Sequence, residues 1–178
     1  MGRYYCYPHS MILEHAQAQP LFVLGVEGHS RRILLPMEIT KANALIAACL
    51  QQDGPEVSSL YGVIGALLDL HATEPADVCL DDVQGSLAAC LEYHAEDGPH
   101  LLTLDPGDGV ALSIAGQIPL LVTEAGLRGF GSVPGSFGGE VSGDAAAGGS
   151  ATGGPVAATA NVIPFPALSS WHSAGQAR

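Results

Sequence analysis

Apolar positions along the first 129 residues fall in short blocks whose spacing switches between two periods. Leu21 to Val26 and Arg32 to Met37 are near-continuous apolar runs of strand length. Glu27-Gly28-His29-Ser30 between them has turn composition, so the pair is predicted to form a hairpin. Thr40 is placed to cap a helix that runs to Leu50, with Ala44, Leu45, Ala48 and Cys49 on one face. Asp53-Gly54-Pro55 ends it. Ser58 or Ser59 caps a second helix carrying Leu60, Val63, Ile64, Leu67 and Leu68. A second hairpin is predicted from Ala76 to Asp82 and from Ser86 to Tyr93, turning through Asp82-Val83-Gln84-Gly85. A loose polar loop, Glu92 to His100, leads to a short strand at Leu101 to Leu104. Asp105 then has the composition of an N-cap and Pro106 that of a first helical residue, opening a third helix to about Ala115. A strand at Leu120 to Thr123 and a closing turn at Glu124 to Arg128 complete the pattern. Hairpins with helices between them predict an α+β fold: a mixed or antiparallel sheet of hairpins with about three packed helices.

Composition divides the chain near residue 129. Ten of the 23 glycines lie between Gly129 and Gly154, and beyond Phe130 the only charged side chains are Glu140, Asp144 and Arg178. Such a segment buries too little apolar surface to offset its chain entropy. The expected organisation is therefore one folded domain, 1–129, followed by a disordered Gly/Ala/Pro-rich tail, 130–178. Near its end stands Val162-Ile163-Pro164-Phe165-Pro166-Ala167-Leu168, then Trp171. This cluster reads as an unstructured end, with docking back onto the domain, or onto a protein partner, as the alternatives.

Charge narrows the function classes. The formal net charge is −12, and only six residues are Lys or Arg. Between Lys41 and Arg128 no Lys or Arg occurs, whereas 13 carboxylates do. Nucleic-acid binding rests on cations that neutralise phosphates, so this balance disfavours polyanions and acidic membranes and suits a basic partner or a metal ion. Mean hydropathy is +0.27, yet no run of membrane-spanning length appears, and residues 1–10 lack the basic start and apolar block of a signal peptide. A cytoplasmic location is expected. The four cysteines, Cys6, Cys49, Cys79 and Cys90, have no CxxC spacing and read as buried free thiols. A hairpin-rich sheet leaves edges to cover, so a homo-oligomer is an option.

One motif carries more specific information. Leu104-Asp-Pro-Gly-Asp-Gly-Val-Ala-Leu-Ser-Ile-Ala-Gly-Gln-Ile-Pro-Leu-Leu-Val-Thr-Glu124 resembles the closing motif of the bifunctional nuclease family, small proteins described as cleaving both DNA and RNA. That motif is an Arg-Pro-Ser-Asp-Ala turn, an Ala/Leu-rich helix, then Pro-Ile and a strand. Pro106, Asp108, Ala111, Leu112 and Pro119 match it in order and spacing. Leu35-Pro36-Met37-Glu38-Ile39 and the alanine-rich stretch after it resemble the family's first Leu-Pro-Ile strand and helix. The resemblance spans about residues 11 to 129. It implies metal-dependent phosphodiester hydrolysis of DNA or RNA. The departures are chemical: Asp105 replaces the turn arginine, Gly107 the serine, and Ala115 the arginine that ends the helix. Glu56-Val57-Ser58-Ser59-Leu60-Tyr61 stands where the family shows Arg-Pro-Leu-Thr-His-Asp. A catalytically inactive relative, acting as a protein-binding or regulatory module, is the alternative implied.

Phosphodiester hydrolysis needs an activated water and stabilisation of developing negative charge, and carboxylates holding Mg²⁺ or Mn²⁺ supply both. The candidate catalytic and metal residues are Asp105 and Asp108, with Asp81 and Asp82 as a second metal-ligating pair. Against this, Asp105 and Asp108 have the composition of helix capping, and Asp81 and Asp82 that of a solvated hairpin end. His94, Glu96, Asp97 and His100 form a weaker metal option in their polar loop. No nucleophile elbow or phosphate-cradling loop is present.

Overall fold

The computed structural model describes residues 2–13, 19–50, 60–72, 74–132 and 161–166. The helix stop at Asp53-Gly54-Pro55, the caps at Ser58 and Ser59, and the stretches 133–160 and 167–178 lie outside these residues. Strand β1 (Arg3–Leu13) is followed by the hairpin β2 (Leu21–Val26) and β3 (Arg32–Pro36). Helices α1 (Ile39–Leu50) and α2 (Leu60–His71) come next, then β4 (Glu74–Val83), β5 (Ser86–Ala95) and β6 (Gly98–Leu104). Helix α3 (Pro106–Gly116), β7 (Leu120–Thr123), α4 (Glu124–Phe130), β8 (Gly131–Ser132) and β9 (Asn161–Pro164) close the order. The strands form one mixed sheet in the order β6-β5-β4-β7-β1-β2-β3-β8, and β9 also pairs with β1. The α+β class expected from the pattern is the one observed. β4 and β7 run parallel, whereas every other pairing is antiparallel.

Period two organises the β4-β5-β7 part of the sheet. Val78, Leu80, Ala89, Leu91, Leu120 and Val122 are all buried, and the pairings Val78↔Leu91, Leu80↔Ala89, Val78↔Leu120 and Leu80↔Val122 place them on one face. Helix α3 lies against that face. A Cβ on Gly109 would fall 2.2 Å from the Ala89 Cβ and 3.3 Å from Val78 Cγ1, so glycine sets the helix-to-sheet distance. α3 in turn meets α2 backbone to backbone: a Cβ on Gly65 would lie 2.5 Å from the Gly116 Cα. Covered by sheet and helices, α3 buries an unbroken run from Gly109 to Ile114. The hydroxyl of Ser113, fully buried, donates to the Ile118 carbonyl at 2.7 Å, which satisfies its polar group inside the core.

Local chemistry explains the turns and caps. Gln84 and Gly85 both take positive φ, 56° and 82°, as a two-residue hairpin turn between β4 and β5 requires. The Asp105 carboxylate accepts from the Gly107 N–H at 2.9 Å and caps α3, with Pro106 as its first residue. Thr123 caps α4 by accepting from the Gly126 N–H at 3.0 Å.

Several expectations need correction. The central strand β1 was not foreseen. Residues 92–100 are no loose loop: β5 runs on to Ala95, and β6 begins at Gly98. The closing turn after β7 is a fourth helix. On α1 the buried residues are Ala42, Leu45 and Cys49, while Ala44 and Ala48 are exposed. On α2 only Gly65 is buried; Leu60, Val63 and Leu67 are 72%, 45% and 50% exposed, although Ile64 and Leu68 pack against the core. The boundary at 129 also fails in part. β8 pairs with β3, and residues 161–166 return to the sheet, where Phe165 is buried and its ring meets that of Phe22 at 5.5 Å between centroids. The described residues contain no helix long and apolar enough to cross a membrane. All four cysteines are free thiols. Burial pushes the Cys6, Cys49 and Cys79 thiols up to about 12, which leaves them protonated and unreactive at neutral pH.

Candidate functional site

The start of α3 faces the start of α1 and the first turn of α2. Three side chains from these elements meet at Asp108. The Lys41 ammonium donates to Asp108 Oδ1, and the Tyr61 hydroxyl donates to the same oxygen at 2.8 Å. Lys41 Nζ also lies 3.7 Å from Asp105 Oδ1. Sequence reading selected both aspartates but missed Lys41, because the residues are 67 positions apart and Lys41 sits in a helix read only for its apolar face. Tyr61 stands where the resembling family shows an aspartate, and position alone gave no hint that it would bond to Asp108.

The electrostatics follow from this geometry. Asp108 titrates below the usual carboxylate range, chiefly through its hydrogen bond from Lys41, with burial opposing and the Tyr61 hydroxyl assisting. Burial works against the Lys41 charge, but the bond to Asp108 and the neighbouring carboxylates more than offset it and hold its pKa above the ordinary value. Tyr61 is raised as well, by burial first and then by donating to the ionised Asp108. Asp108 therefore contributes stability that is present above the ordinary aspartate pKa and lost as pH falls through its lowered one. The contribution is small, under about 1 kcal/mol for so exposed a pair. Tyr61→Phe removes one donor, so the Asp108 carboxyl should titrate nearer the ordinary range. Carbon-detected NMR titration of the two proteins would read this, and identical titration curves would remove Tyr61 from the cluster.

Beside these polar groups opens a cavity of about 250 Å³ between α1, α2 and α3. Ala44, Ala48, Ala111 and Ala115 form its floor and walls, and Glu38, Thr40, Lys41 and Tyr61 its polar side. Ala44, Leu45 and Ala48, which sequence reading placed on one face of α1, thus line this pocket together. Of its lining residues, Glu38 is a carboxylate and Lys41 a cation, and Lys41 reaches from the cavity wall to two further carboxylates, Asp105 and Asp108.

The second candidate pair lies elsewhere, at the end of β4 next to α4. Asp81 Oδ1 accepts from the Thr123 hydroxyl and from the Asp82 N–H at 2.9 Å, and Asp82 Oδ1 accepts from the Gly85 N–H at 2.8 Å. These carboxylates hold a helix cap and a hairpin turn. The contacts of Asp81 and Asp82 include neither Asp105 nor Asp108. In the turn before β6, Asp97 accepts a hydrogen bond from His100 at 2.7 Å, and His100 stacks on Tyr93.

Mg²⁺ or Mn²⁺ is the group the resemblance implies, and the residues do not fit it. Asp108 Oδ1 already takes two donors, one of them an ammonium that would repel a divalent ion. Asp105 spends one oxygen on the helix cap. Among the described residues no group of three or more His, Cys, Asp or Glu side chains is arranged to hold a metal ion. Compared with models of known protein families and with curated proteins, the chain matches none.

Proposed function

We propose that this chain is a binding or regulatory module of the bifunctional nuclease type, without phosphodiester hydrolysis of its own. The observation that carries this reading is the engagement of Asp108. The carboxylate best matched to the family motif is neutralised by Lys41 and bonded by Tyr61 at the mouth of an apolar pocket. A general base or metal ligand needs an available lone pair facing the reacting water. Here Oδ1 is shared between two protein donors, and Lys41, the cation beside it among the described residues, is itself paired. Three carboxylates against one lysine repel a polyanion and suit a basic or neutral partner that inserts an apolar side chain between alanines.

A second reading, metal-dependent cleavage of DNA or RNA, draws on one observation. Folding brings Lys41 to Asp105 and Asp108, supplying a cation that the linear neighbourhood of the motif lacks. Labelled single-stranded DNA and RNA incubated with the protein and Mg²⁺, Mn²⁺ or EDTA separate the two. The expected result is no cleavage in any arm and no retention of nucleic acid at low salt. Cleavage that needs metal, is stopped by EDTA and is lost in Asp108→Ala would overturn the binding reading in favour of the nuclease.

A further inference from the structure

We propose that the outward face of α2 joins two copies of this chain, helix against helix and antiparallel, in a weak, reversible dimer. The inference is independent of the pocket reading, because it uses the side of α2 turned away from α3.

α2 is apolar on two sides. Its inward stripe is satisfied: Gly65 meets the Gly116 backbone, and Tyr61, Ile64 and Leu68 pack against the core. The other side carries Leu60, Val63, Leu67 and Leu70, all exposed, Leu70 at 77%. At about 100° per residue these four fall within one arc of roughly 80°, and the exposed Ala66 lies at its margin. A helix with apolar residues all round is one that is covered all round. The four side chains expose on the order of 400 Å² in one patch, a size that marks an interaction site rather than scattered surface residues.

Spacing and charge select the occupant. The four positions are separated by three, four and three residues, the order of a helix–helix seam, so the complementary surface is another helix of the same spacing. A second α2 has that spacing, and a twofold axis lets one apolar stripe serve both sides. The chain has 18 carboxylates and a net charge of −12, so copies repel wherever carboxylates face one another. α2 carries one of the 18, Asp69, which makes its outer face a surface on which two copies can approach. Parallel helices would set the two Asp69 side chains abreast, whereas antiparallel helices send them to opposite ends of the seam. The antiparallel register puts Leu60 opposite Leu70 of the second copy, and Val63 opposite its Leu67. About 400 Å² from each copy is half of the roughly 800 Å² per partner of a standard interface, which makes the pairing reversible on dilution.

Sedimentation equilibrium of the full chain across the micromolar range tests this. The average mass is expected to rise with concentration from that of one chain, 18.2 kDa, toward twice that value. Leu67→Glu and, separately, Leu70→Glu should each weaken association by about tenfold or more, because each puts a carboxylate into an apolar seam. Both positions are exposed and glutamate is a good helix former, so far-UV circular dichroism should stay unchanged. Val63→Lys should weaken association as well. An equimolar mixture of the Val63→Lys and Leu67→Glu proteins should associate again, because the antiparallel register sets the new ammonium against the new carboxylate. Leu101→Glu, at a comparably exposed leucine of β6, should change nothing. The mass of a single chain at every concentration would overturn the proposal, whether another part of the chain or a different protein covers the face. So would association that is indifferent to the α2 variants or abolished by Leu101→Glu. A mixture that stays monomeric would overturn the antiparallel pairing.

Discussion

Gly109→Ala should destabilise the protein by about 2–3 kcal/mol, the range of a core forced to accept one methyl group too many. Helix propensity alone argues the other way, since alanine is favoured over glycine in a helix interior by roughly 1 kcal/mol. Packing decides the sign. The new methyl would sit 2.2 Å from the Ala89 Cβ and 3.3 Å from Val78 Cγ1. Ala89 is fully buried and has no rotamer by which to withdraw, so α3 itself must lift from β5. That lift would also disturb the crossing with α2 and the position of Asp108 relative to Lys41. Urea denaturation gives the stability change directly. The double variant Gly109→Ala with Ala89→Gly should recover most of the loss, because it returns the space on the other side of the contact. A neutral single variant, or a double variant worse than the sum of its parts, would show that the α3–β5 distance is not set at this glycine.

Phe165→Ala should cost about 3 kcal/mol, the low end for a buried phenylalanine. Its ring is 8% exposed and packs on Phe22, the largest fully buried side chain of the core. The change should also release β9 from β1, seen as faster hydrogen exchange at backbone amides between Ser10 and Leu13, the residues paired with Asn161 to Pro164. If residues 161–166 contributed nothing to the fold, stability and exchange would both stay as they are. The value of the experiment is that it tests a part of the sequence whose composition argued against any structure.

The places where sequence reading succeeded share a cause, as do those where it failed. The hairpins β2-β3 and β4-β5, and the cap and first turn of α3, are local. Their strand runs, the Gln84-Gly85 turn and Asp105-Pro106 specify them within a few residues. β1 was missed because its two faces do not differ in the usual way. Tyr4, Cys6 and Pro8 point one way, and Arg3, Tyr5 and Tyr7 the other, so aromatic residues occupy both sets, and Pro8 breaks the pattern of a central strand. Tyr7 pairs with Gly25 and its ring lies where a Cβ would go, so an outward tyrosine shields a glycine of β2. The α2 face was misjudged because periodicity shows which residues share a side of a helix, not which side meets a partner. Gly65, the small residue, permits the close approach to α3, and Leu60, Val63, Leu67 and Leu70 lie on the opposite, exposed side. The candidate site was half legible. Asp105 and Asp108 could be selected from the motif, but Lys41 and Tyr61 reach them only through the packing of three helices. The return of β9 depends on a few apolar residues after a long Gly/Ala-rich stretch, a contrast that averaged composition conceals.

The central place of β1 bears on how the chain reaches its fold during synthesis. β1 is made early, yet its edge partner on one side, β7, is not complete until Thr123, the residue paired with Arg3. At the usual rate of translation that interval is on the order of ten seconds. Through it the hairpin with β2 can form, but one side of an aromatic strand remains an open template. Helix α3 and the parallel contact of β4 with β7 close that template late, and β9 later still. Pairings so distant along the chain belong to slow-folding topologies, and the nascent β1-β2-β3 unit is the state most exposed to chaperone capture or to association with another nascent copy.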